Sequence, residues 1–182
     1  MTSYTQSDAM DALDPFFEDL DAICRSALGT YRGYPPEVRI EHDRRAQASC
    51  IYYHMANEAD RRLNGRGGVV PLEHRNLKLW AIEDVVTIRF KKMDEDGRTR
   101  NYPTKQAIDY DAQLPLPGLP LPPVNLVVGY LLDPTETEIE RIQVARPMGR
   151  KMMDWCAALV PTSDQVEGRP RWVDVTRQTR AL

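Results

Sequence analysis

The chain has 182 residues, 42% of them hydrophobic and 28% charged, values near the globular average and within the usual size of one domain. Its longest apolar runs, such as Val124 to Leu132 and Trp155 to Val160, are far shorter than the ~20 residues that a membrane-spanning helix needs. The formal net charge of -3 is the opposite of the basic balance with which dedicated nucleic-acid binders displace counterions from phosphate.

Met1 to Asp14 carries acidic residues and no Lys or Arg. It lacks the basic start and apolar block of a signal peptide, so a cytoplasmic protein is expected, with residues 1–13 as an N-terminal arm. Asp14 followed by Pro15 makes a cap and first-turn pair, and Phe16, Leu20, Ile23 and Ala27 recur at helical spacing before Gly29, predicting a first helix. Pro35 and Pro36 interrupt it. A second helix is expected from Val38 to Leu63, with Ala46, Cys50, Tyr53 and Ala56 on one stripe and Gly65 as its stop. Gly65, Gly67 and Gly68 follow as a mobile connection without the Gly-Lys-Ser/Thr ending of a phosphate loop.

From Leu77 the period changes, and Val86, Ile88 and Phe90 alternate with Thr87, Arg89 and Lys91 as in a half-buried strand. A turn at Asp94 to Gly97 and a returning strand over Arg98 to Tyr102 complete an expected first hairpin. Thr104 is placed to cap a short helix running to Gln113. The Leu-Pro stretch Leu114 to Pro123 is expected to be an extended brace packed on its own domain. Val124 to Leu132, apolar on both faces, reads as the core strand of a covered sheet, and Asp133 to Thr135 turns it into a second strand over Thr137 to Ala145. Met152 to Val160 is read as a further strand, and the polar tail from Pro161 as an arm around Trp172.

Helices first and strands afterward, joined by short turns, predict an α+β fold in which N-terminal helices pack on a mainly antiparallel β-sheet. The expected organisation is one domain over residues 14–160 between arms at 1–13 and 161–182.

Few residues carry a chemical signature. Cys24, Cys50 and Cys156 are odd in number and widely separated, which reads as reduced thiols acting as small hydrophobes. His54 and Glu58 have metal-ligand spacing, and Cys50 and His54 would lie one helical turn apart; an ordinary helix surface explains both. Acidic residues at Asp109, Asp111, Glu138 and Glu140 would serve a metal-dependent phosphodiester hydrolase, with Lys105 or Arg141 steadying phosphate, but the Glu-x-Lys pattern of such nucleases is missing. Arg89, Lys91, Lys92, Arg98 and Arg100 on the first hairpin, with Tyr102 as an aromatic, are the best local case for nucleic acid, offset by Asp94, Glu95 and Asp96.

No motif is specific enough to name a family, and no catalytic residue, metal ligand or cofactor is assigned. The favoured expectation is a non-catalytic protein-binding module, a small bacterial accessory, regulatory or neutralising subunit that binds a protein partner or its own copies. Its contact groups are expected on the second hairpin, with Tyr130, Arg141 and Gln143, and on the C-terminal arm, with Arg171 and Trp172. The hydrolase and the nucleic-acid binder are the alternatives.

Overall fold

A computed structural model describes residues 4–100, 104–119, 124–149 and 151–177. Helix α1 (Gln6–Leu13) begins with a capping box, in which the Thr5 hydroxyl accepts from the Asp8 amide at 3.2 Å and the Asp8 carboxylate accepts from the Thr5 amide at 2.8 Å. Its Ala9, Met10 and Leu13 are buried. The segment expected as an arm is thus a packed helix over its described residues. After a turn of 3₁₀ helix at Asp14–Phe16, α2 (Phe17–Arg32) runs straight through Gly29, where the burial of Leu28 and Tyr31 on the next turn offsets the ~1 kcal/mol cost of an interior glycine.

The expected second helix is two. Short α3 (Pro36–Ile40) ends before Asp43, whose carboxylate accepts from the Ala46 amide at 2.7 Å and starts α4 (Arg44–Leu63) afresh. The buried apolar residues of α4 are Ile51, Met55, Ala56, Ala59 and Leu63, while Tyr53 stands 67% exposed. Of the expected stripe, Ala56 is buried and Ala46 and Cys50 are half-buried, and Tyr53 alone lies outside the buried side, which Ile51, Met55 and Leu63 fill.

Among the described residues seven strands form one sheet in sequence order: β1 (Val69–His74), β2 (Leu77–Ile82), β3 (Val86–Lys92), β4 (Val124–Leu132), β5 (Ile139–Pro147), β6 (Met153–Leu159) and β7 (Trp172–Asp174). Every neighbouring pair is antiparallel except β3 and β4, which run parallel. A parallel pair needs a crossover, and α5 (Lys105–Asp111) with the leucine-proline stretch supplies it. The expectation of short turns alone is corrected at this point. Strand β1 was not foreseen: Pro71 removes a backbone donor, yet β1 is an edge strand, where proline is tolerated, and Arg75 and Asn76, both at positive φ, close a two-residue hairpin to β2.

One sheet face, bearing Trp80, Ile88, Phe90, Leu126, Val128, Tyr130, Val144 and Ala157, packs on α1, α2 and α4. Each such aliphatic side chain, fully buried, contributes ~1.5–3 kcal/mol. The opposite face carries a smaller core of Leu79, Val127, Ala145 and Cys156, closed by Met93, Tyr110 of α5 and Leu116. The short α5 begins at a Thr104 cap, as its sequence predicts. Strand β4 lies in the middle, covered on both faces, which is why it is apolar at nearly every position.

Among the described residues the returning strand of the first hairpin is not seen. Arg98 to Arg100 are not in a strand, and Asn101 and Tyr102 lie outside the described residues. Asp94 instead gathers the segment, its carboxylate accepting from the amides of Asp96 at 3.0 Å and Arg98 at 2.9 Å. The loop folds over the second sheet face, so that Gly97 sits against Ala145 and Cys156. The tail is not an arm over its described residues either: β7 pairs with β6 and adds the last strand. No helix of the described residues is long and apolar enough to cross a membrane.

Candidate functional site

Strands β2 and β3 pair over only three positions, Trp80 with Ile88, Ala81 with Thr87 and Ile82 with Val86. Beyond Ile88, β3 continues to Lys92 alongside β4 alone. Alternation turns Phe90 toward the helices and sends Arg89 and Lys91 toward the α5 side. Where the β2–β3 ladder has ended, side chains from the two faces meet: the Lys91 ammonium lies 4.7 Å from the centre of the Tyr52 ring, which α4 supplies.

The contact belongs to a continuous row. Exposed Tyr53 meets Tyr52 edge to face, with centroids 5.9 Å apart; Tyr52 carries Lys91; and two positions back on β3 the Arg89 guanidinium lies 5.0 Å from the centre of the Tyr110 ring. Arg89 is 2% exposed and donates to Asp111 at 2.6 Å. The Tyr110 hydroxyl lies 2.7 Å from both the Thr87 and Leu126 carbonyl oxygens, which ties α5 to β3 and β4. The row thus passes from an exposed aromatic, through a half-buried cation, to a buried and fixed ion pair.

Electrostatics single out Lys91. Burial brings its ammonium down to about 8, the nearby Arg89 charge pushing the same way and Asp111 opposing. Burial likewise raises Asp111 above the usual carboxylate range in spite of Arg89, and raises the Tyr52 phenol. Lys91 has no ion-pair partner among the described residues, in contrast to Lys92, 3.2 Å from Glu136, and Lys78, 2.6 Å from Asp60.

The other expected contact groups fall elsewhere. Tyr130 and Gln143 are fully buried, Tyr130 under the helices and Gln143 with its amide 3.6 Å from the Cys156 sulfur; neither stands on a surface, because the helices cover one face of the hairpin and the second core and the Asp94–Gly97 loop occupy the other. Arg141 donates to the Glu95 carbonyl at 3.0 Å, which fastens that loop. Arg89 is not a wet-face cation, since α5 covers it. Arg98 pairs with Asp96 at 3.1 Å. Arg171 lies 3.3 Å from Asp14 and 5.4 Å from the centre of the Phe17 ring, and half-buried Trp172 packs against the main core, so both fasten β7 to the N-terminal helices.

The acids considered for metal chemistry do not converge. Asp109 pairs with Lys105 at 3.1 Å, Asp111 with Arg89, and Glu138 with Arg32 at 2.6 Å, while Glu140 is exposed. Nor do His54 and Glu58 face a common point: the His54 ring lies 2.7 Å from the Tyr34 hydroxyl, and Glu58 is clasped by Arg61 and Arg62. Among the described residues no three His, Cys, Asp or Glu side chains are grouped to hold a metal ion. Tyr52 was missed in the sequence because its partner lies far along the chain; the only available signal was an aromatic pair, Tyr52 and Tyr53, on a helix followed by a strand with two adjacent basic positions. Comparison with family models, with curated proteins and with solved structures finds no match.

Proposed function

We propose that this chain is a non-catalytic protein-binding module, an accessory or regulatory subunit, whose contact centre is Tyr53, Tyr52 and Lys91. The observation that carries the reading is the row itself. A tyrosine 67% exposed meets, edge to face, a half-buried tyrosine that carries a lysine without an ion-pair partner among the described residues. Tyrosine is enriched among interface hot spots, where a few residues dominate the affinity, and Tyr53 with Tyr52 beneath it supplies that anchor. The separate pairing of Asp109, Asp111 and Glu138 weighs against the hydrolase. The burial of Arg89 and the pairing of Lys92 with Glu136 and of Arg98 with Asp96 weigh against nucleic-acid binding through the five cations on which it was expected to rest.

The test is affinity capture from nuclease-treated lysate of the native host, with wild type, Tyr53→Ala and Trp172→Ala as parallel baits. A partner held by wild type and by Trp172→Ala, but lost with Tyr53→Ala, supports the reading. A partner retained by Tyr53→Ala, or none recovered by a bait that stays monomeric, overturns it.

A further inference from the structure

We propose that the edge of β7 is a self-association surface, on which a second copy of the chain adds its own β7 across a two-fold axis to make one continuous sheet. This goes beyond the Tyr53 reading and does not rest on it. Helix α4, which carries Tyr52 and Tyr53, packs on β3 and β1 at the other end of the strand order.

The sheet has two edges, and their backbone groups can be followed residue by residue. Next to the Val69–Ile82 pair, the Glu83 amide donates to the Gly68 carbonyl at 2.8 Å. Alternation along an antiparallel pair then gives Val70, Leu72 and His74 the bonds to β2 and turns the backbone of Val69, Pro71 and Glu73 outward. That edge is stopped: the Val69 amide donates to the Arg66 carbonyl at 3.1 Å, and Pro71 has no amide to offer.

The β7 edge is open. The Val160 amide donates to the Arg171 carbonyl at 2.9 Å and the Val175 amide to the Cys156 carbonyl at 2.8 Å. In the β6–β7 register these bonds leave Val173 bonded to Ala158 and turn the amides and carbonyls of Trp172 and Asp174 outward. None of these four groups has a partner among the described residues. The open stretch is also bounded. At the outward position before it Pro170 has no amide, and at the one after it the Thr176 amide donates to the Asp174 carboxylate at 2.9 Å.

This edge is its own complement. Two copies laid antiparallel about Val173 set Trp172 of each opposite Asp174 of the other, so every outward amide meets an outward carbonyl. A longer strand would run past Pro170 and Thr176, where nothing is offered, whereas a second copy ends where the first does. Val173, 52% exposed, meets its own copy at the non-hydrogen-bonded centre, where side chains approach most closely. Such a contact is isologous. It is far smaller than the ~1,600 Å² of a standard interface, so half-association is expected near ~100 μM.

The test is sedimentation of the full chain up to about 1 mM, tenfold above that midpoint. Wild type is expected to pass from monomer to dimer. Val173→Glu and Val173→Lys, which bring like charges together on the axis, are each expected to associate about tenfold more weakly or not at all, and their equimolar mixture to recover the dimer. Should these variants fail to fold, amide exchange in wild type decides: the Trp172 and Asp174 amides are expected to slow with rising concentration and the Glu73 amide to stay constant. Monomeric wild type, a dimer that persists in both charged variants, a mixture that stays monomeric, or exchange at Trp172 and Asp174 that ignores concentration overturns the proposal. Tyr53→Ala is expected to leave the association unchanged, so this result and the capture result fail separately.

Discussion

A Cβ placed on Gly129 would lie 1.8 Å from the carbonyl oxygen of Lys91, an atom of the neighbouring strand's backbone. The two residues are register partners across the parallel β3–β4 pair. Only a residue without a side chain lets β3 come this close to β4 beside the Tyr52 contact. Backbone cannot swing aside as a flexible side chain does, so Gly129→Ala is expected to cost about 3 kcal/mol, the upper part of the range for overpacking. Gly67→Ala, with nothing within 4 Å of its Cβ, is expected to stay within ~0.5 kcal/mol of wild type. Urea unfolding of the two variants checks the contrast.

Lys91 gives stability a pH dependence of known sign. Its folded value is about 8 against 10.5 in the open chain, so between these values the unfolded state binds more protons and stability rises with pH. Burial of the Cys24 and Cys156 thiols, both raised from 9.0, works the other way as pH approaches 9 and offsets much of the Lys91 gain in wild type, so Lys91 is read from the difference between wild type and variant. Wild type is expected to gain about 1 kcal/mol relative to Lys91→Met between pH 8 and 9, with Lys91→Met the more stable of the two at pH 7. Urea midpoints at pH 7, 8 and 9 decide it, and a variant with the wild-type slope would remove Lys91 as the source.

How much of this was legible in the sequence depends on whether the signal was local. Strand β4 was readable because burial on both faces leaves an unbroken apolar run, and α5 because Thr104 sits one position before it. The N-terminal helices and the sheet, hence the α+β class, follow from the same periodicities. What failed was coverage. Alternation along β3 and β5 identifies two faces but does not say that a loop, Asp94 to Gly97, will fold over the second one, so Gln143 read as a surface group and Arg89 as a wet one. The Tyr52–Lys91 contact depends on where β2 parts from β3, which no local pattern records.

The Arg89–Asp111 pair predicts an asymmetry. Arg89 is almost wholly buried, and the Asp111 side chain is 22% exposed. Removing the acid alone strands a buried guanidinium, for which about 3 kcal/mol is the expected loss in Asp111→Ala. Replacing both charges by apolar groups of similar size, Arg89→Met with Asp111→Leu, removes the stranded charge and is expected to recover most of that loss. Urea unfolding of the single and double variants reads it, and a double variant no better than Asp111→Ala would mean that the pair's hydrogen bonds, not its charges, hold α5 down.

The loop over the second sheet face can be tested through a thiol. Cys24 and Cys156 are 0% and 1% exposed, with burial pushing the Cys156 thiol up to about 12, whereas Cys50 is half-buried on α4. Because the thiolate is the reactive form, the native protein is expected to offer one fast thiol, Cys50, and two that react only on opening. Gly97 covers Cys156: it has φ +77°, and a Cβ there would meet the sulfur at 2.8 Å and the Ala145 side chain at 2.9 Å. Gly97→Ala therefore has to lift the loop from Cys156 while leaving Cys24 under its helices. Labelling followed by peptide mass spectrometry is expected to show Cys156 reacting about tenfold faster or more in the variant, with Cys24 unchanged. Equal acceleration at both sites would mean that the substitution loosens the whole core and that the loop is no separate cover.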